Sequence, residues 1–179
     1  MKKIILLILL SFSTVVYAQS ISTFPVNWLG KWSGKLEIMN KAQVVKSLTM
    51  ELLIDTIQSA DSVAQWKWEI TYIDGETIDN RKYILKEINS TTGEYAIDEN
   101  NGIALSSFYF KENLFSYFKV GNILLSSTYR LENETIIFEI QTIQIENPTS
   151  SGGVSDEIPE VLSYPINGFH KAVLQKVTD

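Results

Sequence analysis

Alternation of apolar and polar residues with period two runs through almost every apolar segment after residue 30, and it fixes the class of structure available to this chain. From Lys31 to Met39 one face carries Trp32, Gly34, Leu36 and Ile38, and the other carries Ser33, Lys35 and Glu37. Successive side chains of a strand point to opposite sides, so this is a half-buried strand. Leu48, Met50, Leu52 and Ile54 repeat the pattern. Trp66, Trp68, Ile70 and Tyr72 give its sharpest form, set against Lys67, Glu69 and Thr71. Further strands are predicted at 81–88, 93–97, 103–110, 114–120, 123–131, 135–145 and 169–177. No segment has a helical period.

The connections decide how these strands pair. Glu99-Asn100-Asn101-Gly102, Lys111-Glu112-Asn113, Gly121-Asn122 and Glu132-Asn133-Glu134 are too short to join anything but antiparallel neighbours. About ten strands then form a meander, and a meander of this length hides its edges most simply by closing on itself. The expected fold is all-β, an antiparallel up-and-down barrel, with a two-sheet sandwich as the alternative. The segment from Asn147 to Tyr164 breaks the rhythm with Pro148, Ser150-Ser151-Gly152-Gly153 and Pro159, and reads as a long loop.

Before the barrel comes an export signal. Lys2 and Lys3 precede the apolar run Ile4 to Leu10, and Val16-Tyr17-Ala18 has the small-residue spacing of a signal-peptidase site. Residues 1–18 are thus expected to be a signal peptide and residues 19–179 one domain, periplasmic or extracellular after cleavage near Ala18. The apolar run is too short to span a bilayer, so the mature chain is expected to have no integral membrane segment. The chain has no Cys, which excludes thiolate chemistry, Cys-ligated zinc and a lipidated N-terminal Cys. Its net charge is −6 before the two leader lysines are lost, and Arg81 and Arg130 are its only arginines. Phosphate backbones need clustered cations, so nucleic acid is not an expected partner.

Trp28-Leu29-Gly30-Lys31-Trp32-Ser33-Gly34 resembles the opening of the calycin superfamily, whose lipocalin and fatty-acid-binding members begin their first strand with a Gly-x-Trp element. The resemblance implies a barrel closed at one end by Trp32, with a basic residue from a late strand lying across its ring; Arg130, Lys171 and Lys176 are the candidates. It also implies a small hydrophobic molecule as partner, carried inside the barrel without catalysis. A second branch, the nitrobindin-like haem barrels, shares the Gly-x-Trp-x-Gly opening and carries a haem-ligating His in the last strand. The single histidine, His170, is similarly placed and shares a face with Ala172 and Leu174.

The residues themselves favour binding over catalysis. One His, no Cys and no nucleophile elbow leave little for an enzyme to use, and the acid pairs Asp98-Glu99 and Asp156-Glu157 lack the alternating spacing of a calcium loop. From Ile103 to Tyr129 both strand faces are apolar or aromatic, more than one barrel wall needs. One face is expected to line a cavity and the other to meet the long loop or a partner chain; a secreted protein-interaction or inhibitor domain is the reading in which the outer face matters most. The cavity candidates are Trp32, Leu36, Trp66, Trp68, Tyr72, Ser107, Tyr109, Ser116, Phe118, Ser127 and Tyr129, with the three serines as isolated hydroxyls that orient a ligand.

Overall fold

A computed structural model describes residues 24–58 and 63–178. The segment expected to be an export signal, residues 1–18, lies outside the described residues. Ten strands close into one antiparallel barrel: β1 (Gly30–Asn40), β2 (Gln43–Thr56), β3 (Gln65–Asp74), β4 (Thr77–Asn89), β5 (Glu94–Asp98), β6 (Ala104–Phe110), β7 (Asn113–Val120), β8 (Ile123–Glu132), β9 (Thr135–Gln144) and β12 (Ile166–Lys176). Neighbours in sequence are neighbours in space, and β12 closes the ring between β9 and β1. The expected up-and-down barrel is therefore the observed one.

Local chemistry explains the connections. Lys111-Glu112 and Asn133-Glu134 have positive φ at both positions. That is the type I′ geometry whose twist matches that of the flanking strands. The inward row follows the alternation: Met50, Leu52 and Ile54 on β2, Trp68 and Ile70 on β3, and Ile136 and Phe138 on β9 are all buried. β2 and β4 extend several residues beyond their apolar stretches, because ladder hydrogen bonds continue where one face no longer needs burial.

One end of the barrel is sealed by the segment that enters β1. A 3₁₀ turn at Val26–Trp28 tucks Phe24 and Trp28 beneath the strands. Phe24 stacks on Tyr109 at 4.2 Å and meets Tyr95 edge-on at 5.0 Å. Trp32 is 1% exposed and donates its indole N–H to the Trp28 carbonyl at 2.9 Å. Of the three basic candidates it is Lys176 that lies over the Trp32 ring, 5.2 Å from its centre, because the two residues are paired across β1 and β12. Lys171 points outward to Glu139, and Arg130 pairs with Glu132.

The stretch from Asn147 to Tyr164 is not an irregular loop. It forms a hairpin arm, β10 (Thr149–Ser155) with β11 (Ile158–Ser163), exposed on both faces and turned by Asp156-Glu157. The residues that suggested breakage are those a bulged hairpin uses. Gly152 and Gly153 take positive φ, a Cβ on Gly152 would lie 2.3 Å from the Pro159 carbonyl oxygen, and Pro159 falls in the bulged stretch where no ladder donor is required. The arm springs from the end opposite the plug, held by the Gln144 N–H to the Pro165 carbonyl at 3.0 Å.

Candidate functional site: two adjoining cavities in the barrel

Strand register explains why the barrel is not filled. Ser107, Ser116 and Ser127 pair in sequence across β6, β7 and β8, and the same row continues through Ile140, His170 and Ile38 on β9, β12 and β1. Three adjacent strands therefore present their smallest inward side chains at one level. The next level toward the plug holds Leu114, Tyr129, Phe138, Ala172 and Leu36, which pack solidly.

Two cavities result. The deeper, about 90 Å³, is walled by Trp68, Ile70, Ile97, Leu105, Ser116, Phe118, Ser127, Tyr129 and Phe138. The outer, about 420 Å³, opens at the unplugged end between Leu36, Ile38, Leu48, Leu125, Thr142 and His170, with Lys46, Asp74, Thr77 and Asp79 on its rim. Tyr72, Arg81 and Ile140 line both, so the two cavities adjoin there.

Of the predicted cavity residues, Trp68, Ser116, Phe118, Ser127 and Tyr129 line the deep cavity, Leu36 lines the mouth and Tyr72 lines both. Trp32, Trp66, Ser107 and Tyr109 line neither barrel cavity: Trp32 and Tyr109 belong to the sealed end, and Trp66 is half-buried beside the core. The serines are not all isolated. Ser107 and Ser116 share a buried hydrogen bond of 2.7 Å between their hydroxyls, and the Ser107 hydroxyl donates to the Leu105 carbonyl at 3.2 Å.

The site also contains residues that the alternation pattern alone did not single out. Arg81 is one: its guanidinium donates to Asp79 at 2.9 Å and lies 4.9 Å from the centre of the Tyr72 ring. Burial works against its charge, but Asp79 and the neighbouring Tyr72 and Tyr83 together hold its pKa above the ordinary arginine value. Lys46 is likewise paired, with Asp74 at 2.7 Å. Burial raises the Tyr129 phenol far above its usual range and Tyr95 to about 12, with Glu87 adding to the latter. Both remain hydroxyl donors at any physiological pH.

His170 faces the mouth, half-buried, and desolvation lowers its pKa, so the neutral imidazole is favoured. Among the described residues, no group of three or more acidic or histidine side chains is placed to hold a metal ion. Asp156 and Glu157 form the exposed tip of the arm. Outside the barrel, Phe108, Phe110 and Tyr117 stand exposed on the outer faces of β6 and β7. The second apolar face predicted there thus exists, and the arm does not bury it.

No family model and no curated protein matches the chain. Among solved structures, the S-type phycobiliprotein lyase of Guillardia theta is similar to it, with a TM-score of 0.56 and 8% identity over 84% of this chain and 89% of that one. At that identity the likeness establishes the shared barrel architecture.

Proposed function

We propose that this chain is an exported carrier that holds a small hydrophobic molecule inside its barrel. The observation that carries the reading is the pair of adjoining cavities behind a mostly apolar mouth, in a barrel whose other end is plugged. Binding pockets combine apolar walls with a few oriented polar groups, and this interior has that composition. Membership of the calycin superfamily is part of the proposal, supported by buried Trp32 under Lys176 at the sealed end. The basic and then apolar pattern of residues 1–18 supports export. The structural neighbour is named a lyase, so a barrel of this architecture is compatible with chemistry as well as carriage, and a product distinct from the added ligand would favour the former.

Ile140 provides the test, since it lines both cavities and its replacement need not disturb the plug. The purified chain is expected to enhance the fluorescence of the neutral probe N-phenyl-1-naphthylamine saturably. Ile140→Arg, which places a bulky cation where the two cavities adjoin, is expected to weaken that binding at least about tenfold while the far-ultraviolet circular dichroism is retained. Unchanged affinity in a folded Ile140→Arg protein would place the probe elsewhere and defeat the carrier reading.

His170 supports a second reading, a haem-binding barrel. Its imidazole lines the mouth beside Leu36, Ile38 and Leu125, a neutral nitrogen donor in an apolar wall, which fits the axial position of a haem iron. Haem would bring ferric ligation to this mouth, and His170 would hold it. Titration with haemin is the check: a Soret band that shifts on binding and is lost in His170→Ala supports this reading, and a band indifferent to that substitution removes it.

A further inference from the structure

The polar side of the mouth holds a cation whose hydrogen bonding is unfinished. Alternation along β4 puts Asp79, Arg81 and Tyr83 on the inward face, and of these Arg81 lines both cavities. Its Nε and Nη2 donate to a single oxygen, Oδ2 of Asp79, at 3.1 and 2.9 Å. That contact engages one edge of the guanidinium, which has five N–H groups in all. No second carboxylate among the described residues meets the other edge, between Nη1 and Nη2. The Tyr72 ring lies 4.9 Å from Cζ and steadies the plane of the group without consuming an N–H. With its side chain 46% exposed, Arg81 is within reach of a molecule in the cavity.

The acids nearby do not close this site. Asp74 is matched by Lys46 at 2.7 Å. Glu99, in the wall of the deep cavity, is half-buried and accepts from Asn101 at 3.1 Å. Its repulsion of an incoming anion is screened by solvent over about 8 Å at physiological salt. A carboxylate on the open edge of a guanidinium gains two parallel charge-assisted bonds, each about twice as strong as a neutral one. Across the barrel the chemistry reverses. β9 stands halfway round the ring from β4, and its Ile140, with Leu125, Leu36 and Ile38 alongside, makes that wall apolar. A cavity of about 420 Å³ with a cation on one wall and branched aliphatics on the other suits a short, broad amphiphile lying across it.

We propose that the outer cavity takes organic anions with a compact apolar body, the carboxylate forked onto the open edge of Arg81 and the body against Ile140 and Leu125. The proposal rests on the carrier reading and names its ligand class. Its test is displacement of N-phenyl-1-naphthylamine from the full chain by three compounds of one shape: 4-tert-butylbenzoate, 4-tert-butylacetophenone and 4-tert-butylbenzamidine. The benzoate is expected to bind about tenfold more tightly than the neutral ketone, the scale of a hydrogen bond to a charged group, and the cationic amidine most weakly. Arg81→Gln should bring the benzoate-to-ketone ratio to about one. Arg81→Lys, which keeps the charge but not the fork, should retain only part of it. Asp79→Asn removes the competing carboxylate and should raise the ratio about threefold or more. A loosened barrel does not produce such a gain.

Equal affinities for benzoate and ketone in the native protein overturn the proposal, while displacement by the ketone leaves the carrier standing. A benzoate preference that survives Arg81→Gln places the anion elsewhere and overturns it too, as does tightest binding by the amidine. Should Arg81→Gln fail to fold, the Asp79→Asn ratio decides, and no increase there defeats the proposal. If the probe itself does not bind saturably, the carrier reading falls and this one with it.

Discussion

Trp32→Ala is expected to destabilise the barrel by about 4 kcal/mol, within the range for deleting a buried large aromatic side chain. Three losses coincide. The indole is 1% exposed, so its removal opens a cavity between the plug and the strands. Its N–H no longer reaches the Trp28 carbonyl at 2.9 Å, which leaves a buried acceptor unpaired. Lys176 loses the ring over which its ammonium sits. For a domain of this size the melting temperature should fall by roughly 8–16 °C. Thermal unfolding followed by circular dichroism measures it, with Trp66→Ala as the comparison. Trp66 is only half-buried and belongs to neither the plug nor a cavity wall, so its truncation should cost less than half as much. Equal losses would mean that Trp32 is one core aromatic among several and that the sealed end is not a distinct structural unit.

The difference between these two tryptophans was not readable from the alternation, although both were correctly assigned to an inward face. Period two tells which way a side chain points. It says nothing about the level of the barrel at which the side chain sits, or about which strands are narrow there. The Gly-x-Trp element did locate the sealed end, but the 3₁₀ turn that carries Trp28 beneath it left no periodic signal. The cavities depend on register: Ser107, Ser116 and Ser127 fall at one level only because two hairpins align them. A shift of a single residue in either hairpin would have turned a serine outward. Arg81 was equally hidden, since its role follows from Tyr72 lying diagonally across the β3–β4 pair and from Asp79 two residues earlier on the same face of β4.

The arm failed to register for the converse reason. A hairpin exposed on both faces has no apolar alternation to display, and its glycines and proline read as breakers. What the sequence did express was the demand of a closed interior, and strands that do not face that interior were written only in their turns. This explains why all ten barrel strands were predicted and the two arm strands were not.

The same limit conceals the second large effect, at Gly34. As an inward position in β1 it looks like a missed opportunity for an apolar side chain, and the alternation alone implies that filling it would add core. The barrel geometry gives the opposite sign. A Cβ on Gly34 would lie 2.0 Å from the Val173 carbonyl oxygen, 2.9 Å from its carbon and 3.2 Å from the Leu174 Cα, all of them backbone atoms. No rotamer change relieves that contact. The pairing of Ser33 with Gln175 and Leu36 with Ala172 brackets the site, so the two strands that close the ring must separate to admit a methyl group.

Gly34→Ala is therefore expected to cost about 3 kcal/mol, comparable to the larger effects of backbone strain and overpacking. Gly168→Ala is the control, because its Cβ would first meet the Thr142 side chain at 3.3 Å, where a small adjustment suffices; a loss under about 1 kcal/mol is expected there. Denaturant midpoints compare the two, and hydrogen exchange should show the Gly34→Ala loss of protection concentrated in β1 and β12. Because β12 also brings His170 to the mouth and Lys176 to Trp32, opening this seam should weaken probe binding as well. A Gly34→Ala protein as stable as the native chain would show that the seam can widen freely, and the link from close backbone approach to a sealed, ligand-sized interior would be broken.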